Sequence, residues 1–360
     1  MGAAKKSVRV GIREIARNAG VSTATVSRVL NGNVRVDAQL AERVLRAAEQ
    51  LGYQPSPAAR YLRSKRSNLL GIVVPKLSLP YFSAIVNGAI DRAREYSQFV
   101  LVATVEGSRS TEVEYLTSLS RYMLDGLVYC PIGEGGGVEK LVAIPMVVAG
   151  RRHVIDGVPH VNTDDEKAGY LATRYLLELG RRRIAFAAGF WPPPPVTEYT
   201  EFVTAVDQPS SGSYSSIDRL RGYFHALREA KIDIDTRLFA FTGFESQDGF
   251  ATAKELFSRM VGFDALIVPN SRVAGGAMGF FAQQGVRVPH DISIVSADDG
   301  LVGEHLPIPV TAIVHDMYQV GVDAVDQVNN LLSGTKTGST TVDVRLQIRR
   351  STARTADTQL

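Results

Sequence analysis

Val21-Ser22-Thr23-Ala24-Thr25-Val26-Ser27-Arg28-Val29-Leu30-Asn31 reads as the second helix of a helix-turn-helix, close to the start of a 360-residue chain. Just before it, Ile12-Arg13-Glu14-Ile15-Ala16 sets Ile12, Ile15 and Ala16 at i, i+3 and i+4, one apolar stripe of a short helix. Gly20 can turn the chain after that helix because it lacks a Cβ, and Ser22 stands where an N-cap is wanted. Val26, Val29 and Leu30 are expected to face inward, leaving Thr23, Ala24, Ser27 and Arg28 on the outer face. Thr and Ala can touch thymine methyl groups and Arg can pair bidentately with guanine O6 and N7, so such a face suits a major groove. Ser22, Thr25 and Asn31 complete the candidate DNA contacts on this element. A third helix is expected after Asp37 as its N-cap, burying Leu40, Val44, Ala47, Ala48 and Leu51. Spacing alone also fits a small helical bundle with no DNA role.

Charge favours the DNA reading. Residues 1–67 hold 13 Lys and Arg against 4 Asp and Glu, about +9, whereas the whole chain is only +3. The cation excess therefore belongs to the first fifth of the chain, the footprint of a module that neutralises phosphates. Next comes Tyr53-Gln54-Pro55-Ser56-Pro57-Ala58-Ala59-Arg60-Tyr61-Leu62-Arg63-Ser64-Lys65-Arg66, in which Ser56-Pro57 looks like an N-cap followed by Pro at the first helical position. A helix of two turns at most would be marginal alone in water and would need something to pack against. A minor groove and the same segment of a partner could supply it, with Leu62 as a wedge between base steps and Ala59 and Arg60 beside it. The alternative is a basic tether between domains.

The run from Ile12 to Asn31, the segment from Tyr53 to Leu62, and Leu70-Gly71-Ile72-Val73-Val74-Pro75 with Pro80-Tyr81-Phe82 resemble the LacI/GalR family of bacterial transcription regulators. The similarity runs on through Asp125-Gly126-Leu127-Val128, Arg219-Leu220-Arg221-Gly222-Tyr223, Val288-Pro289-His290-Asp291-Ile292-Ser293-Ile294, Asp298-Asp299 and Arg349-Arg350-Ser351-Thr352-Ala353, covering nearly the whole chain. Composition agrees independently. Val- and Ile-rich runs at 70–74, 99–103, 126–129, 146–149, 183–187, 265–268 and 293–296 alternate with helical stretches at 83–96, 168–179, 216–230 and 249–260. That alternation argues an α/β fold with parallel sheets covered by helices, in too many units for one sheet of ordinary size.

The resemblance implies a three-helix DNA-binding domain (1–54), a hinge helix and linker (55–68), a two-lobed periplasmic-binding-protein-like core (69–354) and a tail (355–360). It places the first lobe at about 69–163 and 314–334 and the second at about 164–313 and 335–354. It further implies a homodimer on a pseudopalindromic operator, and a small effector in the cleft between the lobes, a sugar before other classes. Tyr81 and Phe82 match the family's position for an aromatic face against the ligand. Arg219 and Asp298 match a ligand-contacting Arg and Asp, a donor and an acceptor suited to vicinal hydroxyls. Asn270 matches the first residue of an Asn-Asp pair, and Phe244 an aromatic wall. Each of these also has an ordinary reading as core, cap or surface.

Some positions depart from the family pattern. Gly11 replaces a capping Thr or Ser, Ser271 replaces Asp, and Thr163-Asp164 stands where many members have Asp-Asn. Gly189-Phe190-Trp191, four prolines and a polar stretch to Ser216 make an unusually long loop, either a lid that brings Trp191 to the pocket or a disordered insertion. These departures leave room for a regulator without an effector or with a purine-like corepressor, and a cytoplasmic sugar-binding protein is a further alternative.

Enzyme chemistry finds no footing in the sequence. Gly133-Glu134-Gly135-Gly136-Gly137-Val138 lacks the third Gly of a dinucleotide fingerprint and the Gly-Lys-Ser/Thr of a P-loop. Six scattered His and the single Cys130 offer no zinc set and no disulfide within the chain, so no metal or cofactor is expected. No apolar run is long enough to span a bilayer, and Met1 to Val10 is basic with no apolar segment behind it, so a cytoplasmic protein at the nucleoid is expected.

Overall fold

The computed structural model describes residues 10–30, 36–53, 66–119, 122–132, 141–150, 155, 157–190, 203, 206, 215–300 and 302–355. It divides into two compact units, Met1–Ser67 and Asn68–Leu360. In the first, α1 (Ile12–Ala19), α2 (Thr23–Leu30) and α3 (Ala38–Gln50) enclose one small core of Ile15, Ala16, Ala19, Val26, Val44, Ala47 and Ala48. Gly20 closes α1 at φ 63°, the left-handed conformation that any Cβ would penalise. Arg43 Nη2 donates to the Ala19 carbonyl at 2.6 Å, satisfying another group at that helix end. Asp37 caps α3, its Oδ1 accepting from the Gln39 and Leu40 amides at 3.0 and 3.1 Å. Leu51 packs on the core as expected, but Leu40 is only half-buried and lies outside the cluster.

The second unit holds two six-stranded sheets. The first combines β1 (Leu69–Val74), β2 (Phe99–Thr104), β3 (Gly126–Tyr129), β4 (Met146–Ala149), β5 (His160–Thr163) and β11 (Thr340–Val342) in the order β11-β5-β4-β3-β1-β2, all parallel. The second combines β6 (Ile184–Gly189), β7 (Phe239–Thr242), β8 (Ala265–Val268), β9 (Ser293–Ser296), β10 (Thr311–His315) and β12 (Val344–Gln347) in the order β12-β10-β9-β8-β6-β7, parallel except for β10 with β12. Central strands such as β3, β6 and β8 are buried along their whole length, as helices on both faces require.

The helices of this unit are α4 (Pro80–Glu95), α5 (Arg109–Leu119), α6 (Asp165–Glu178), α7 (Ser215–Glu229), α8 (Ser246–Ser258), α9 (Ser271–Gln283), α10 (Val302–His305) and α11 (Met317–Leu332). α6 and α7 touch backbone to backbone. A Cβ on Gly169 would sit 1.8 Å from the Arg219 carbonyl oxygen, and one on Gly222 would sit 1.9 Å from that of Glu166. The paired glycines set where Arg219 stands.

The chain passes from the first sheet to the second after Thr163, returns after His315 and leaves again at Asp343. The last crossing differs from the expected position after Gly334. Thr340–Val342 extends the first sheet by pairing with β5, Thr340 opposite Val161 and Val342 opposite Thr163, and so belongs to the first lobe. Among the described residues no helix is long and apolar enough to cross a membrane.

Candidate functional site

The exposed face of α2 is the first candidate site. Ser22 Oγ accepts from the Thr25 amide at 3.1 Å and shares a hydrogen bond with Thr25 Oγ1 at 2.9 Å, so these two hydroxyls serve the helix cap. Val26 is buried, while Thr23, Ala24 and Arg28 are exposed and Ser27 is half-buried. Thr23 and Ser27, and Ala24 and Arg28, are spaced i, i+4, so the four occupy one face of the helix. Gly11 lacks a capping side chain, and Glu14 compensates by reaching back to its amide at 2.9 Å. That bond holds the Glu14 carboxyl below its ordinary range. Asn31, Ala59, Arg60 and Leu62 lie outside the described residues.

The second site is a cavity of about 120 Å³ in the larger unit. Strand order reverses between β1 and β3 in one sheet and between β6 and β8 in the other, and the carboxyl ends of such strands form a crevice. Segments after all four strands line the same cavity: Pro75 after β1, Pro131 after β3, Phe190 after β6 and Pro269 after β8. The six effector candidates, Tyr81, Phe82, Arg219, Phe244, Asn270 and Asp298, all line it.

Tyr81 and Phe82 open α4 and meet edge to face with centroids 5.1 Å apart. The Tyr81 hydroxyl donates to the Gly150 carbonyl, and burial keeps the phenol protonated by raising its pKa well above the usual value. Phe244 lies against Gly189, where a Cβ would come within 2.7 Å of the ring, so the aromatic wall depends on that glycine. Asn270 caps α9: its Oδ1 accepts from the Val273 amide at 2.9 Å and its Nδ2 donates to the Phe244 carbonyl at 3.0 Å. Much of its amide is thus engaged in holding the wall.

Arg219 is buried, and its Nε donates to Asp165 Oδ1 at 2.7 Å. The Asp298 carboxylate receives no hydrogen bond from any described side chain or amide. Ser271 Oγ and Ser296 Oγ donate instead to the Asp298 backbone carbonyl, at 3.4 and 2.6 Å. Burial pushes the Asp298 carboxyl up to about 6, against the pull of Arg219. Behind the cavity, His315 ties the sheets together: Nε2 donates to the Ala297 carbonyl at 2.8 Å and Nδ1 accepts from Thr163 Oγ1 at 2.9 Å. Burial, then the charge of Arg219, lowers the imidazole to about 4, so it is neutral near pH 7.

At the mouth, Glu245 is shared. Lys76 Nζ from the first lobe reaches Oε1 at 2.6 Å, and Arg272 Nη1 reaches Oε2 at 2.9 Å while its Nη2 donates to the Ser78 carbonyl at 2.7 Å.

The chain matches the family described as periplasmic binding proteins and sugar binding domain of the LacI family over residues 67–353, and that of bacterial regulatory proteins, lacI family, over residues 11–56. The chain belongs to the LacI family. Its relatives include the HTH-type transcriptional regulator GalR of Salmonella typhimurium, 30% identical over 88% of this chain and 87% of that protein. Among solved structures, the lac repressor dimer bound to operator and the anti-inducer ONPF is similar at 28% identity and TM-score 0.80, over 96% of this chain and 99% of that one. The transcriptional regulator CelR in complex with cellobiose is similar at 26% identity and TM-score 0.68, over 95% and 100%. This LacI-family chain is a DNA-binding transcriptional regulator, and its family is one of regulators rather than enzymes.

Sequence reasoning missed Asp165 and His315. Asp165 looks like an ordinary acidic residue in the first turn of a helix, and its partner is 54 positions away. His315 ends a strand, and only the fold shows that it bridges the two sheets. Trp191 lies outside the described residues, as does the glycine-rich 133–138.

Proposed function

We propose that this LacI-family member is a homodimeric repressor that reads a pseudopalindromic operator through Thr23, Ala24, Ser27 and Arg28, and that a sugar in the cleft changes its operator affinity. The observation that carries the effector half is the cavity itself. It brings an arginine, Arg219, and a carboxylate that takes no hydrogen bond from the described residues, Asp298, to one lining with the aromatic side chains of Tyr81, Phe82 and Phe244. Aromatic faces take the C–H face of a pyranose, and a paired donor and acceptor take its vicinal hydroxyls. A sugar-bound neighbour and the family's sugar-binding description support the same class.

Dimerisation follows from the energetics of recognition. One base contact discriminates by about 1–3 kcal/mol, too little for a unique site, and a twofold assembly doubles the contacts. The lac repressor neighbour is a dimer on its operator. A coupling of about 1–3 kcal/mol between cleft and operator would change affinity roughly 5- to 150-fold. It would run through residues 55–68, which join the two units in the chain. The protein would act in the cytoplasm at the nucleoid, without catalysis.

The test is in vitro selection of random duplex DNA by the full-length protein and by Arg28→Ala. A palindrome enriched by the first and lost by the second supports the reading. An operator affinity unmoved by every ligand shown to occupy the cleft would remove its allosteric part.

A further inference from the structure

The cleft also carries a charge signature. Arg219 and Asp165 form a pair whose side chains are only 7% and 3% exposed. The close backbone approach of α6 and α7 at Gly169 and Gly222 fixes the pair before any ligand arrives. Arg272, the other cation on the lining, is held by the Ser78 carbonyl and by Glu245, which it shares with Lys76. Asp298 has neither a cation of its own nor a described hydrogen-bond donor to its carboxylate. Among the described residues the group Arg219, Asp165 and Asp298 therefore carries one net negative charge.

An entering phosphate or carboxylate would meet an arginine whose charge is already matched. It would also face a second carboxylate in a medium where like charges repel strongly. A neutral polyol meets no such penalty: its hydroxyls donate to Asp298 and accept from the Arg219 N–H groups that Asp165 does not use.

We propose that Asp165 is a specificity-determining residue: by holding Arg219 from behind, it makes the cleft a receptor for neutral polyhydroxyl ligands and closes it to their phosphorylated and acidic counterparts. This rests on the effector reading of the same cavity.

The experiment is calorimetric titration of the full-length protein with a panel of aldoses, each paired with its phosphate monoester and its uronic acid. Wild type should bind a neutral member at least about tenfold more tightly than its anionic counterparts, a difference of about 1.4 kcal/mol. Asp165→Asn should shrink that ratio about tenfold or invert it. Because that variant leaves a buried arginine unmatched, Asp298→Asn gives a second measurement. It leaves the Asp165–Arg219 pair intact, removes the repelling carboxylate, and should shrink the ratio too. Wild type that binds an anionic member as tightly as the neutral one overturns the proposal, as does an equal loss for neutral and anionic ligands in both variants, which would mark Asp165 as purely structural. Binding of no panel member by a protein that still binds its operator would instead overturn the sugar-effector reading, and this inference with it.

Discussion

Helix α2 and the cleft of the larger unit place their side chains in opposite ways. On α2, Thr23, Ala24 and Arg28 are exposed on a scaffold of eight residues, and the Ser22 hydroxyl just before it closes the helix start together with that of Thr25. In the cleft, Arg219 and Asp165 are paired in advance, and the partly buried Asp298 carboxylate takes no hydrogen bond from the described residues. The first surface contributes little to stability and is free to be chosen for a base sequence. The second stores electrostatic strain that a ligand can relieve, so altering it should move folding and binding together.

The sharpest way to break the contrast is Val26→Asp. Burying a carboxylate in so small a core should cost more than about 4 kcal/mol and abolish operator binding. Calorimetric effector affinity should be unchanged, and a parallel loss of it would mean the two sites are not independent in stability. Arg28→Ala should come next, costing about 1–3 kcal/mol of discrimination at one base pair of each half-site. Its thermal unfolding should match wild type.

Asp298→Asn should do the reverse of Arg28→Ala, raising the stability of the ligand-free protein by about 1–2 kcal/mol at neutral pH while weakening effector binding. The folded-state carboxyl is raised to about 6, so its advantage is complete below the ordinary carboxylate range and is lost as pH rises through 6. The melting-temperature difference between Asp298→Asn and wild type should therefore be absent near pH 4 and full above about 6.5. His315, held down at about 4, gives the opposite slope across pH 4–6.5, and comparing the two proteins cancels it. The smallest effect belongs to Glu245→Gln. Half-exposed ion pairs contribute under about 1 kcal/mol, so its unfolding midpoint should shift little, and by less in high salt.

The same contrast explains what was legible in the sequence. Gly20, Ser22 and Asp37 could be read as cap and turn residues because each acts within a few positions of itself, and the structure places them so. The alternation of apolar runs and helices is likewise local, and it marks seven of the twelve described strands, while β5, β7, β10 and β12 are not singled out by it. The cleft residues could be named only through resemblance, because the cavity is assembled from strand ends more than 200 positions apart. Thr340–Val342 escaped notice for a different reason. It is a three-residue edge strand with exposed threonines, so no apolar run betrays it. Asn270 was legible as a lining position, but only the fold shows that its amide also caps a helix and donates to the Phe244 carbonyl.

The shared carboxylate at the mouth bears on time as well as on affinity. Glu245 is clasped by Lys76 from the other lobe while Arg272 beside it reaches the Ser78 carbonyl, so any parting of the lobes along this edge must break these contacts. An effector that enters and leaves by this edge would then depend on that one event for both capture and escape. Ionic strength should quicken both together, so the residence time of the ligand, and the lag before transcription responds to a falling effector level, would shorten in salt with little change at equilibrium.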